Sequence, residues 1–297
     1  MKQSSRFLTH TKSLWALFIL GNAVITAPVK NTNEFTLLGF IIASVLGVII
    51  YFALLPFAKK LFCQKSEIGS KGLLKILLCF IYLAVAVFSV FCAADTFLDF
   101  TKFIKDIVLK DTAEVFIKAI FLGLAVFFCL KRQEDTLKFF LISFWFALAV
   151  ILVFSLAIAF KFDLKSIYIS KFPDFKQIYL QTKPYLLNPV IPTILIPLYS
   201  AAVFGESRSS HSIFGCVLGY FLLGVCLLKS VLLFGPTLAG RIDYPYALAV
   251  STISIGRLFA RLDGFLYYIY FISSLAKITV SIFVASKSVE RIKKLFD

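Results

Sequence analysis

Apolar residues in this chain come in long runs separated by short polar stretches, and the length of the runs sets its organisation. A helix crossing the ~30 Å hydrocarbon core of a bilayer needs about 20 apolar residues. On that ruler eight runs stand out: 13–29, 35–57, 74–94, 113–130, 138–160, 185–204, 212–238 and 262–286. Between the third and fourth, DTFLDFTKFIKDIVLKD puts Phe97, Phe100, Phe103, Ile104, Ile107 and Val108 on one helical face with Asp and Lys opposite, the pattern of a separate helix lying in the interface. Residues 161–183 read as a polar, Lys-rich loop, and YPYALAVSTISIG (244–256) holds an apolar run too short to span, expected to be re-entrant or surface-lying. The pattern predicts an all-α, polytopic membrane protein with about eight transmembrane helices forming a single domain over 1–297.

Two runs break helical rules. FILGNAVITAPVK places Gly21 and Asn22 mid-span and follows them with the β-branched Val24, Ile25 and Thr26 before Pro28. KPYLLNPVIPTILIPLYS carries Pro189, Pro192 and Pro197, each removing an amide donor and freeing the carbonyl four residues earlier. Lipid cannot satisfy such groups, so unwound backbone at that depth has to line a cavity or be covered by protein. Broken helices at corresponding places in two halves point to an inverted-repeat (LeuT-like) transporter, with a first repeat over about 13–160 and a partial second over about 185–286. Half-helix amides suit a carboxylate, and freed carbonyls suit an ammonium or a cation. An amino acid satisfies both, with Gly21, Asn22, Ala23, Asn188, Pro189, Pro192 and Thr193 as the expected binding segments.

Composition supports the membrane reading: the chain is 60% hydrophobic, with a mean hydropathy of +0.92, above the roughly 45–50% apolar content of soluble domains. The net charge of +15 would point to nucleic acid in a soluble protein, but most Lys and Arg flank apolar runs as headgroup anchors, so no nucleic-acid partner is expected. With the N-terminus inside, 16 basic residues fall on the cytoplasmic side against 13 outside, five of the latter in the long 161–183 loop, which favours both termini inside. Six cysteines without a C-x-x-C, and His10 and His211 in flanking positions, leave no metal or redox motif and no cofactor expectation. Neither paired acids nor Gly-x-Ser-x-Gly supports an enzyme.

Charge inside the runs is more informative. Lys277 lies near the centre of the eighth and Lys229 near the middle of the seventh, with no acid in the middle of any run. A central ammonium costs at least ~2.5–3.5 kcal/mol on insertion scales, so both have to face protein or water. Snorkelling along the stem serves Lys229 as well as a function does. For Lys277 a role in the core is favoured, because Tyr270, Ser273 and Ser274 lie within two turns on roughly one face. Arg261 and Asp263 sit at the edge, where a headgroup anchor and a helix-start acid explain them, and they are expected to contact 244–256.

The run ISIGRLFARLDGFLYYIYFISSLAKITVSIFVAS (253–286) resembles the late region of the spore-germination permeases, the B-type subunits of nutrient-germinant receptors, within the amino acid/polyamine/organocation transporter superfamily. Ile253, Ile255, Gly256, Arg261, Leu262, Asp263 and Lys277 carry the resemblance. It extends more diffusely to the Gly-broken first run, KRQEDTLKF before the fifth and the Pro-rich sixth. It implies a ten-helix transporter fold, an amino-acid-like ligand at the unwound helices, A-type and lipoprotein C-type partner subunits, and a cell membrane location, the spore inner membrane. The chain departs from that family in ending with KSVERIKKLFD directly after the eighth run, so the last two helices are expected to be missing, and in carrying Tyr267, Tyr268 and Tyr270 where a Trp is common. Three readings follow: a germinant-receptor subunit binding a small zwitterion, a stand-alone amino-acid permease, or a structural membrane subunit without a ligand site. Sodium-coupled relatives bridge the first and eighth helices with a cation; Lys277 is expected to put its ammonium there, against carbonyls freed around Gly21 to Ala23.

Overall fold

The computed structural model describes residues 2–21, 23–26, 35–63, 72–159, 173–204, 213–251 and 263–296, and the regular elements among them are all helical. In order they are α1 (Lys2–Leu20), α2 (Ala23–Thr26), α3 (Thr36–Cys63), α4 (Gly72–Phe103) running into a π-helical turn (Ile104–Val108), α5 (Glu114–Leu130) and α6 (Gln133–Ala159). Then come α7 (Phe175–Tyr185), a π turn (Leu186–Val190), a 3-10 turn (Ile191–Ile194), α8 (Leu195–Phe204), α9 (Ile213–Ala239), α10 (Pro245–Ser251) and α11 (Asp263–Phe296).

Among the described residues six stretches are long and apolar enough to cross a membrane: Thr36–Phe62, Lys75–Val108, Gln133–Ala157, Phe175–Val203, Ile213–Ala239 and Gly264–Phe296. This is a multi-pass membrane protein. α5, at 17 residues, and the apolar end of α1, Thr11–Leu20, are shorter than the other six.

Burial separates centre from rim. Of the apolar windows, 72% is buried in α11 and 61% across α7–α8, against 28% in α3 and in α4. α11 turns Ser273, Ser274, Ala276 and Ser281 inward alongside Ile269 and Tyr270, while α3 and α4 present Ile41, Phe52, Phe80 and Phe91 outward. α1 is enclosed over Leu14–Leu20. It meets α9 at Gly215 and Gly219, a Gly-x-x-x-Gly spacing that lets two backbones approach. A Cβ on Gly219 would stand 2.9 Å from Ile19 Cβ, whereas one on Gly123, on α5, meets nothing within 4 Å. Gly219→Val is therefore expected to destabilise the protein by about 1–3 kcal/mol through overpacking. Melting of the purified protein should show this, with Gly123→Val as the unshifted control.

The structure differs from the sequence expectations in three places. Residues 95–108 continue α4 and its π turn and form no separate interfacial helix. Their aromatic face is covered by protein: Phe100 packs tilted on Phe121 at 4.3 Å and Phe103 meets Tyr270 edge-on at 4.8 Å, so tertiary packing uses the stripe that looked lipid-directed. Residues 175–183, expected in a loop, begin the sixth stretch as α7, which packs on α3 where Gly39 approaches Gln181 and Thr36 donates to Gln181 Oε1 at 3.0 Å. Finally, α1 starts at Lys2, well before the apolar run.

α4 and α11 pack antiparallel, Phe100 against Phe271 at one level and Cys92 near Lys277 further along. At 1.5 Å per residue the 34 residues of α11 reach about 50 Å, more than the hydrocarbon core. Its far end caps α3: Arg291 Nη2 donates to the Phe62 carbonyl, and Tyr82 of α4 donates to Leu61 O at 2.5 Å. Both acceptors belong to the last turn of α3, where carbonyls lack helical partners. At the opposite end Tyr244, between α9 and α10, donates to Asp106 Oδ2 at 3.1 Å. Burial, then the Asp106 carboxylate, hold that phenol above its ordinary range and keep it protonated.

Candidate functional site

The first interruption is a single turn. α1 stops at Leu20, the amide of Gly21 donates to Leu17 O at 2.9 Å, and Gly21 then takes φ +30°, after which α2 resumes at Ala23. That conformation suits glycine because a Cβ there crowds the carbonyl in the left-handed region. Ala23 is buried; Asn22 lies outside the described residues.

The second interruption spans two irregular turns. Asn188 is extended, with φ −149° and ψ 112°, and its bond to Pro189 is cis. Pro189, Pro192 and Thr193 are buried. Thr193 Oγ1 donates to Pro189 O at 3.0 Å and so accepts from the Tyr220 hydroxyl at 2.8 Å, a partner on α9. The second bond ties the interruption to α9.

Lys277 touches both interruptions. It is 1% exposed, and its stem lies so close to Gly21 that a Cβ there would sit 2.7 Å from Lys277 Cδ. Its ammonium donates to Asn188 Oδ1 at 3.2 Å. Asn188 belongs to the sixth stretch, so the lysine links the two interruptions. The Gly21 carbonyl accepts from Ser273 Oγ at 3.2 Å. Of the other hydroxyls expected around the lysine, Tyr270 packs its ring on Phe103, and buried Ser274 Oγ has no hydrogen-bond partner among the described residues. Arg261 lies outside the described residues; Asp263 opens α11, its side chain likewise undescribed.

Sequence reasoning left Lys277 without an acid. The continuation of α4 supplies two, since Asp95 and Asp99 follow Cys92 at helical spacing and all three act electrostatically on Lys277. The run had been ended at residue 94, at the first acid, which is why they were missed. The Tyr220 bond to Thr193 had no signal in the sequence, whereas the Gly-x-x-x-Gly pair did.

Lys229 does not snorkel. It is 3% exposed, donates to Ile151 O of α6 at 3.2 Å and lies over the Tyr246 ring at 5.5 Å. Ile151 O also accepts from Ser155 Oγ, so losing the lysine does not orphan it. Replacing a buried charge with an apolar side chain of similar shape is often neutral or stabilising. Lys229→Met is therefore expected to leave the melting temperature unchanged or raised, and a clear fall would show that the ammonium holds α6 to α9.

No family model matches the chain, and no curated protein matches it. What the site can do follows from its own groups. An ammonium, a side-chain amide and two helix interruptions come together at the buried Lys277.

Proposed function

We propose that this chain is a permease-like membrane subunit of a spore germinant receptor that binds a small amino-acid-like ligand at the interrupted first and sixth spans. In this reading α1–α2 and α5 join the six long stretches to give eight spans in an inverted-repeat (LeuT-like) arrangement. The ligand carboxylate meets Lys277 and the amides beside the breaks. A-type and C-type subunits assemble with it in the spore inner membrane. The observation that carries the reading is the placement of Lys277 against Gly21 and on Asn188, which joins two breaks far apart in sequence. Ser274 Oγ, buried without a hydrogen-bond partner among the described residues and one turn from Lys277, offers a further polar group.

The test is binding of radiolabelled small amino acids to the purified full chain. Saturable binding that Asn188→Ala weakens is expected; no binding of any of them would defeat the ligand reading. Co-purification with A-type and C-type subunits separates the receptor subunit from a stand-alone permease, which needs neither.

A further inference from the structure

Away from the Lys277 site, α3 and α9 line an apolar groove of about 450 Å³. Its rim is formed by Ile41 and Val45 of α3 and Val217 and Phe221 of α9, all exposed. The floor is Phe40, which packs on Gly224, and Tyr220, which packs on Gly47. Two lining side chains carry polar atoms, and both are engaged within the protein. Ser44 Oγ donates to Phe40 O at 2.8 Å, and the Tyr220 hydroxyl is held by Thr193. The walls therefore ask no hydrogen bond of an occupant, and the lining carries no charge.

Size narrows the occupant further. From Val217 to Leu228 the α9 wall runs about 16 Å at 1.5 Å per residue. Half of a ~30 Å hydrocarbon core is about 15 Å, the depth one lipid chain occupies. A second transmembrane helix docks on stripes of small residues that let backbones approach, and this rim is built from Ile, Val and Phe. We propose that the groove seats one acyl chain of a bilayer lipid, held side-on between α3 and α9 with its flank against the Tyr220 ring. Because the hydroxyl of that ring bonds Thr193, one side chain separates a seated chain from the interrupted sixth stretch.

Photolabelling tests this directly. The full chain is reconstituted in phosphatidylcholine vesicles doped with a phosphatidylcholine carrying a diazirine on one acyl chain, then irradiated and mapped by peptide. Label on the α3 and α9 groove peptides is expected severalfold above that on the outward face of α4 around Phe80 and Phe91, which is equally apolar but has no such groove described. Val45→Trp, an exposed position that fills the groove, is expected to bring groove labelling down to the α4 level while α4 labelling and melting temperature hold. Equal labelling of groove and α4 in the unmodified protein would reduce the feature to ordinary boundary lipid and overturn the proposal. So would efficient disulfide cross-linking of a Val217→Cys variant to a second copy in the same vesicles, because a protein neighbour would then occupy the groove.

Discussion

Lys277→Met is expected to abolish ligand response while leaving the amount of membrane-inserted protein nearly unchanged. Methionine keeps the length of the stem that lies on Gly21 and removes the ammonium that reaches Asn188. Two effects on stability then oppose each other. Asn188 Oδ1 loses a hydrogen bond to a charged donor, worth about 1.5–3 kcal/mol. Against that, a cation no longer has to be kept out of water, and exchanging a buried charge for an apolar residue of similar volume often comes out neutral or better. Response has no such offset, because a ligand carboxylate would lose its cation. Lys277→Arg should fail as well, since a planar fork is a poor substitute for a compact ammonium beside a glycine without spare room. The measurement is ligand-triggered response per inserted molecule for both variants. A normal response from Lys277→Met would leave the lysine as packing alone and remove the proposed role.

The second large effect is expected at Gly21. Alanine there meets a positive φ, which costs about 1–2 kcal/mol for a residue with a Cβ. Its methyl would also stand 2.7 Å from Lys277 Cδ and 2.8 Å from Phe18 O. The lysine is held at its other end and the second neighbour is backbone, so neither yields easily. Together these predict a loss of about 2–4 kcal/mol, seen as a lower unfolding midpoint. A double-mutant cycle isolates the share due to the lysine, because Lys277→Ala removes one clash and leaves φ and Phe18 O in place. Gly21→Ala should thus be milder in the Lys277→Ala background by about 1 kcal/mol. Strict additivity would mean that the stem does not press on Gly21.

Much of this arrangement can be traced to local composition. The proline-dense sixth run and the Gly-Asn pair of the first mark where hydrogen bonding cannot continue, and the described backbone departs from α-helix at Gly21 and Asn188. Those are consequences of a missing amide or a missing Cβ, which a single residue decides. Partners are not decided that way. That Lys277 reaches the amide of Asn188 depends on rotation about α11, set by its packing against α4 and α1. The end of α4 was misplaced for a related reason. Asp95 and Asp99 look like the close of a membrane run, yet the Phe100 and Phe103 stripe that follows finds α5 and α11 to cover it, so the helix continues. Lys229 shows the same limit, since its fate rested on whether a carbonyl of α6 lay within reach.

The enclosure of α1 bears on how the protein is made. Leu14–Leu20 is buried, and its glycine seat on α9 is some two hundred residues further along the chain. Translation at roughly 5–20 residues per second puts about 10–40 s between the appearance of one surface and the other. The apolar stretch Thr11–Leu20 is about half the length that spans a bilayer unaided. Until α9 is made that seat is missing, and α6, which also packs on α1 and precedes α9 in the chain, can cover only part of its surface. Full burial of α1 therefore comes only with the late helices α9 and α11.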